Sequence, residues 1–285
     1  MPPQVLASTI HGLGELDAGM ENVLGPNADR LFQLPANRET SATHVASRSH
    51  ALKPAPATGQ GIFEAVDKVL LPDFLAIKNM KERQIAFFEF LRPLVQEENR
   101  RLLEDRRRIL DLQAWHRHKE PFRPHDRVWL EGVAERYRVQ ATLEDDPTGF
   151  FAQLLEGVDI IPVSLALAQA ADESGLGSSR LAKEGNNLFG QTCAARGCRR
   201  GRMLRFESVA ESVRYYIENL NVNNAYQDMR SLRANLRAKG RTITGEALTP
   251  GLSRYSEQGS GYVRLIQSKI RMYDLTRLDE AEFLP

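Results

Sequence analysis

The chain has few of the features that assign a protein to a class at once. Its 285 residues include only two cysteines, and 38 basic side chains nearly balance 37 acidic ones. A core of this length needs no disulfide scaffold, and the balanced charge selects neither nucleic acid nor an anionic membrane as a partner. No window approaches the roughly 20 apolar residues of a membrane span. Function must therefore be sought in local sites.

Metal-binding patterns are also missing. All six histidines lie at or before residue 125, and His116 and His118 are too sparse for a metal site without further ligands. The two cysteines supply only two sulfur ligands, and no histidine follows them. We expect neither a metal nor another cofactor.

The cysteines, Cys193 and Cys198, are separated by four residues. This spacing favours a local disulfide that closes a short hairpin, with free thiols as the alternative. Because disulfides persist in oxidising compartments, the pair favours export to the periplasm or cell envelope. The first thirty residues, however, carry no basic start followed by an apolar run, so no secretory signal is visible. The two indications conflict.

The pattern along the chain predicts a mainly α protein. Residues 1–60 are rich in small and polar residues and are expected to form a disordered tail or linker. Residues 61–125 are expected to be helical, as one bent helix or two consecutive helices with Pro93 at the bend. Strand signals are confined to a hairpin between Thr192 and Phe206. We find no internal repeat, and the oligomeric state stays open.

Two sequence blocks carry the most information: Ala-Gln-Ala-Ala-Asp-Glu-Ser-Gly-Leu-Gly at 168–177 and Glu-Gly-Asn-Asn-Leu-Phe-Gly-Gln at 184–191. The first block ends a helix that Pro162 suits as a first residue and Gly175 as a stop. Since this helix is apolar on most sides, it is expected to be buried. Glu173 in its last turn then faces a partner or a cleft. Burial and the negative helix end would both help its carboxyl keep its proton near neutral pH.

These blocks resemble the glucosaminidase family of bacterial cell-wall hydrolases, and within it the Bax-like envelope proteins. Further similarity occurs at 71–74, 87–93 and 252–263, so the resemblance covers roughly residue 70 to the end. It implies a lysozyme-like catalytic domain at 126–285 with a small β-hairpin, preceded by the helical segment. It also implies an endo-β-N-acetylglucosaminidase whose partner is the glycan strand of peptidoglycan.

The resemblance also implies roles for individual residues. Glu173 would be the catalytic acid, and Tyr262 would orient a water or the substrate's acetamido group, with core packing as the alternative role for this tyrosine. Asn187, Phe189 and Gln191 would line the substrate groove, with Phe189 stacking on a sugar or keeping Glu173 dry. Asparagines also suit a tight turn, and the two roles are compatible.

A second catalytic carboxylate is absent from the place where several relatives have it. The hairpin from Thr192 to Arg205 contains no Asp or Glu. Glu207 and Glu257 are the nearest alternatives by sequence but suit surface positions equally well, and Asp172 is expected to face solvent. Assistance by the 2-acetamido group of the substrate would remove the need for this carboxylate. A lytic transglycosylase and a non-catalytic wall-binding protein remain alternatives.

The same hairpin is strongly basic. Its uncompensated charge favours an anionic surface such as the peptide stems of peptidoglycan. Nucleic acid is disfavoured because no aromatic residues are interleaved with the arginines. These arginines are Arg196, Arg199, Arg200, Arg202 and Arg205.

Overall fold

The computed structural model describes residues 69–193 and 201–280, so the predicted tail at 1–60 lies outside these ranges. The described residues form ten α-helices and confirm the mainly α prediction. The helices are α1 Met80–Arg117, α2 Pro124–Arg136, α3 Pro147–Gly157, α4 Val163–Ser174, α5 Arg180–Gly185, α6 Val209–Val222, α7 Gln227–Ala238, α8 Gly245–Leu248, α9 Ser260–Met272 and α10 Arg277–Glu280. Short 3-10 turns occupy Phe74–Ala76, Asn224–Tyr226 and Thr249–Leu252. Within the described ranges, no helix is both long enough and apolar enough to cross a membrane.

Helix α1 is one continuous element of 38 residues with Pro93 in its interior, so the alternative of two helices is wrong. The Asn79 side chain caps its start by accepting hydrogen bonds from the backbone N–H groups of Lys81 and Glu82. The buried face of α1 packs against α3, α4 and α6. The N-terminal helical segment therefore contributes to the same core as the residues that follow it.

Helix α4 lies at the centre of that core. Every residue from Val163 to Ala171 is buried, and the helix packs against α1, α8, α9 and α10. A helix that is surrounded on all sides has no solvent-exposed face for charged residues, which accounts for the run of small and aliphatic side chains in α4. Only its last turn leaves the core, and this turn carries Glu173.

The start of α4 is held by a buried carboxylate from the end of the chain. Asp279 in α10 is fully buried and accepts hydrogen bonds from the backbone N–H groups of Ser164 and Gly245, each at 2.9 Å, and from the Ser164 hydroxyl. It thereby satisfies donors in the first turn of both α4 and α8, where a negative charge is favourable.

The loop leading into α4 is fixed by a second polar cluster. The fully buried Arg233 of α7 donates hydrogen bonds to backbone carbonyls between residues 156 and 160. Asn99 of α1 both donates to and accepts from the backbone of Ile161, at 2.8 and 3.1 Å. Together with the Asp279 cluster, these bonds set the position of α4 along its axis.

Strand pairing in the described residues is limited to one antiparallel bridge, between Thr192 and Met203. It is accompanied by hydrogen bonds from the Cys193 N–H to the Arg202 carbonyl and from the Leu204 N–H to the Gln191 carbonyl. The turn of the predicted hairpin, including Cys198, lies outside the described residues. The pairing of Cys193 with Cys198 therefore stays a prediction.

The close packing of α7 against the Thr249–Leu252 turn generates a test of the fold. A Cβ atom at Gly251 would lie 2.3 Å from the Met229 Cα, so Gly251→Ala must push the two segments apart. We expect a loss of about 1–3 kcal/mol in the free energy of unfolding, measured by urea denaturation. Gly132 in the interior of α2 has open space around it, so Gly132→Ala should stabilise by about 0.5–1 kcal/mol. Equal effects of the two substitutions would contradict the packing described here.

Candidate active site

Glu173 occupies the last turn of α4, as predicted, and its side chain is half-buried. Gly175 ends the helix in the left-handed conformation, with φ 57° and ψ 49°, which confirms its role as the stop. The Ser174 hydroxyl fixes the turn by donating to the Ala170 carbonyl and accepting from the Gly177 N–H. The helix end therefore holds Glu173 at one defined position at the edge of the core.

The surroundings of Glu173 favour its protonated form. Burial is the largest influence and raises the pKa of its carboxyl, the neighbouring Asp172 carboxylate raises it further, and a hydrogen bond from Tyr262 lowers it. Asp172 does not face open solvent as expected, since it is half-buried and lies 3.1 Å from the Lys269 ammonium. Among the described residues, no lysine or arginine lies within 4.0 Å of the Glu173 carboxylate.

A chain of hydrogen bonds leads from the core to this carboxyl group. The Tyr216 hydroxyl donates to Gln169 Oε1 at 2.6 Å, and Gln169 Nε2 donates to the Tyr262 hydroxyl at 2.8 Å. Tyr262 in turn donates to Glu173 Oε1 at 3.3 Å. Tyr216, Gln169 and Tyr262 are all at most 2% exposed, so water does not compete for these bonds.

The loop after α5 passes directly over the carboxyl group. Gly190 has a φ of 64°, and a Cβ atom there would lie 2.8 Å from Glu173 Oε2. The preceding residue, Phe189, stacks on the Tyr216 ring at a centroid distance of 3.9 Å and accepts a hydrogen bond at its carbonyl from the Tyr255 hydroxyl. Gly190 therefore satisfies two needs, a left-handed backbone and close approach to Glu173.

A cleft of about 170 Å³ opens beside this loop. Glu173 does not itself line this cleft, but Gly190, which does, lies against Glu173 Oε2. The lining side chains are uncharged and combine phenol rings with amides. They belong to Phe189, Gly190, Gln191, Thr192, Tyr215, Asn219, Asn223, Tyr226 and Tyr255.

Comparison with known proteins gives this arrangement a family. Residues 148–275 match the glucosaminidase family, described as mannosyl-glycoprotein endo-beta-N-acetylglucosaminidase. The chain is also 34% identical over 197 residues to protein bax of Escherichia coli (strain K12), an alignment that covers 67% of this chain and 70% of that protein. The chain belongs to the Bax-like glucosaminidase family. No solved structure matches it. Membership of this family indicates a glycosidase-type enzyme related to peptidoglycan hydrolases, with a glycan as substrate.

The residues that the glucosaminidase resemblance predicted for the site differ in their contacts: some border the cleft or bond to Glu173, and others form hydrogen bonds within the loop. Tyr262 and Glu173 are joined by a hydrogen bond, and Phe189 lines the cleft and stacks on Tyr216, the first residue of the hydrogen-bonded chain. Gln191 borders the cleft, but its amide is bonded to Ser212.

Asn187 is only 1% exposed and bonds to the backbone of Gln191 and Leu204. Its contacts hold the loop in shape, and its predicted contact with substrate stays untested.

The predicted alternatives for a second carboxylate lie in exposed positions. Glu207 and Glu257 are both exposed, and the Glu207 N–H donates to the Glu211 carboxylate. Ser208 caps α6 by accepting from the Glu211 N–H at 3.1 Å, so the Glu211 side chain and backbone both take part in the start of this helix. In the part of the chain that is described, no group of three or more His, Cys, Asp or Glu residues could hold a metal ion.

Sequence reasoning missed three residues that shape the site: Gln169, Tyr216 and Tyr255. Gln169 carried a usable signal, because it lies one helical turn before Glu173 and is the only amide in an otherwise small and apolar stretch. Tyr216 gave no such signal, since aromatic residues at helical spacing are typical of core packing. Tyr255 lies in the segment 252–263 that carries part of the resemblance, but this position does not indicate its bond to the Phe189 carbonyl.

The contact between Gly190 and Glu173 generates a test of the site. In Gly190→Ala the new methyl group would meet Glu173 Oε2, so we expect at least a tenfold loss of glycan cleavage, read from released sugar products. Gly240→Ala is the matched control, because Gly240 also has a positive φ, 59°, but nothing within 4 Å of the added Cβ atom. Comparable losses in both variants would mean that backbone strain, and not the contact, is responsible.

Proposed function

We propose that this chain is an endo-β-N-acetylglucosaminidase that cleaves the glycan strand of peptidoglycan, with Glu173 as the general acid. One observation supports the proposal: a half-buried carboxyl group without a basic partner among the described residues lies against Gly190, a residue of the cleft wall. A carboxyl group in such surroundings keeps its proton at a higher pH than an ordinary glutamate and can give it to a leaving oxygen. A solvated glutamate or one paired with arginine would not.

In the proposed reaction, Glu173 transfers its proton to the glycosidic oxygen as the bond between this oxygen and the sugar carbon breaks. Negative charge then develops on Glu173, where the Tyr262 hydroxyl can stabilise it. Positive charge develops on the sugar. Because no aspartate or glutamate is among the residues that line the cleft, and Asp172 is paired with Lys269, we assign stabilisation of the sugar to its own 2-acetamido group.

The cleft lining supports an N-acetylhexosamine as the sugar held there. The amides of Asn219 and Asn223 bond to each other at 3.2 Å and keep further donor and acceptor capacity for hydroxyl and acetamido groups, and the phenol rings offer flat apolar surface and hydroxyl groups. We further propose a lysozyme-like arrangement of the helices around the cleft. With such a substrate, the site of action would be the periplasm or cell envelope, where a Cys193–Cys198 disulfide would persist.

The substitution Glu173→Gln tests the proposed role directly. The amide keeps the shape of the side chain but cannot donate an acidic proton, so release of muropeptides from purified sacculi should fall by about 10²–10⁴-fold. Products are measured by mass spectrometry. Glu89→Gln makes the same chemical change at an exposed position of α1 and should cleave like the unmodified protein. Unchanged release by Glu173→Gln would remove Glu173 from the reaction.

The chain ends of the products distinguish the competing functions. Reducing-end N-acetylglucosamine supports the glucosaminidase proposed here. Anhydro-muramic acid ends would instead identify a lytic transglycosylase. Binding to sacculi without any soluble product would identify a wall-binding protein.

The raised pKa of Glu173 also predicts how stability depends on pH. The folded protein holds the proton more tightly than the unfolded chain, whose reference pKa is 4.5, so the associated stability is present below that pH and is lost as pH rises through the folded pKa. Glu173→Gln cannot ionise. Its thermal midpoint relative to the unmodified protein should therefore be higher at about pH 8 than at about pH 4. A relative midpoint that is constant or falls with pH would contradict the raised pKa.

A further inference from the structure

We propose that Gln169 is a positioning residue which, held by Tyr216, makes Tyr262 a hydrogen-bond donor to Glu173 and directs the acidic proton of Glu173 toward the cleft. This inference deepens the proposed function, on which it rests, by assigning the proton positions around the general acid. It follows from the chain of three hydrogen bonds and from the position of the two Glu173 oxygens.

The shorter of its two contacts indicates the orientation of the Gln169 amide. A separation of 2.6 Å from the Tyr216 hydroxyl fits an O–H to O bond and is shorter than the usual N–H to O bond. The 2.8 Å separation from the Tyr262 hydroxyl fits an N–H donor. The amide oxygen therefore faces Tyr216, and the amide nitrogen faces Tyr262.

This orientation determines the proton of Tyr262. The Tyr262 oxygen accepts from Gln169 Nε2, which has no lone pair to receive a proton in return. Tyr262 is 2% exposed, so its own hydroxyl proton needs a partner inside the protein. The available acceptor is Glu173 Oε1 at 3.3 Å. Burial also raises the pKa of Tyr262 far above its usual range, so the hydroxyl keeps its proton throughout.

The acidic proton of Glu173 is placed by the same bond. Since Oε1 accepts from Tyr262, it is Oε2 that carries the proton. Oε2 lies toward Gly190, which lines the cleft. If the amide were turned over, Tyr262 would donate to Gln169 and would be free to accept the Glu173 proton. The proton would then point into the protein, away from a substrate.

The bond also suits the charge that forms during cleavage. When the proton leaves Oε2 for the glycosidic oxygen, the Glu173 carboxylate becomes negative and the bond from Tyr262 strengthens, with no proton moving from Tyr262. Among the described residues, the groups that interact electrostatically with Glu173 include no cation that could replace this bond. Asp172 is paired with Lys269 of α9, and the others are neutral phenols: Tyr216, Tyr226, Tyr255 and Tyr262.

The test is the titration of Glu173 itself, followed by NMR in protein with ¹³C-labelled glutamate carboxyl groups, with Glu173→Gln identifying the resonance. Tyr262→Phe removes the donor, so the pKa of Glu173 should rise. Tyr216→Phe leaves one amide atom of Gln169 unpaired in either orientation, so the amide is no longer fixed and the pKa should rise as well. Tyr137→Phe removes another buried phenol hydroxyl, that of the residue capping α2, and should leave the titration unchanged.

A double variant shows whether Tyr216 influences the pKa of Glu173 through Tyr262, here called the relay, or independently of it. If Tyr216 acts through Tyr262, adding Tyr216→Phe to Tyr262→Phe should produce no further rise in the pKa of Glu173. A full additional rise would overturn the inference. So would a Tyr216→Phe titration identical to that of the unmodified protein.

A measurement on the unmodified protein keeps the inference testable if Tyr216→Phe does not fold. The side-chain amide resonance of Gln169 should shift with the same midpoint as the Glu173 carboxyl, because Tyr262 bonds to both. A Gln169 amide resonance whose chemical shift does not change as Glu173 titrates would contradict the relay. None of these titrations depends on cleavage, so they can fail or succeed separately from the proposed function, which the sacculus assay with Glu173→Gln decides.

Steady-state kinetics of Tyr216→Phe distinguish a positioning role of Tyr216 from a purely structural one. In Tyr216→Phe, kcat should fall while KM stays near that of the unmodified protein, and the alkaline limb of the rate profile should move to higher pH with the pKa of Glu173. A change in KM alone would mean that Tyr216 supports the cleft and not the acid.

Discussion

The candidate site depends on one constraint: the Glu173 carboxyl group is half-buried and has no positively charged partner among the described residues. Helix α4 makes this possible, because its apolar body is enclosed by other helices and only its last turn is partly exposed. The C-terminal end of a helix is negative, so it adds to the effect of burial on Glu173. The neighbouring Asp172 is held by Lys269 on its other side, which keeps that ammonium engaged away from Glu173.

A second buried carboxylate in the same chain illustrates the contrast. Asp159 is 2% exposed, but it lies within 4.0 Å of guanidinium nitrogens from Arg106, Arg233 and Arg237. Its pKa is lowered, since the surrounding arginines outweigh a strong opposing effect of burial. Asp159 therefore stays ionised and fastens the loop before α4. Burial acts to raise the pKa of both carboxyl groups, and the presence or absence of cations decides which carboxylate is structural and which can act as an acid.

The local features of the site could be predicted from the sequence, and its long-range contacts could not. The end of α4 at Gly175 and the unusual surroundings of Glu173 follow from a run of apolar residues and one glycine. The hydrogen bond between Gln169 and Tyr216 joins residues 47 positions apart, and no sequence pattern predicts it. The Asp279 cluster spans 115 positions for the same reason. Pro93 left two possibilities open, one bent helix or two consecutive helices, and only the packed structure shows that α1 is continuous.

Phe189 and Asn187 show why a family motif identifies a site more readily than it assigns roles. Phe189 does border the cleft, but the face of its ring is covered by Tyr216 at 3.9 Å, so that face is not available to a sugar. The Asn187 side-chain amide forms hydrogen bonds with the backbone of the loop. Both residues therefore contribute by placing Gly190 over Glu173. A motif can be retained for the shape of a loop as much as for contact with substrate.

The shortage of carboxylates also links the chemistry to the choice of substrate. Under the proposed function, a single acid at Glu173 protonates the leaving oxygen, but the described residues supply no second carboxylate to hold the sugar cation. If the 2-acetamido group of the sugar does this instead, a sugar without that group would bind in the cleft yet react slowly. Selectivity for N-acetylhexosamines would then arise in the reaction step and not only in binding. The neutral lining of the cleft is consistent with this division, since it can orient the acetamido group without competing for the positive charge that this group must stabilise.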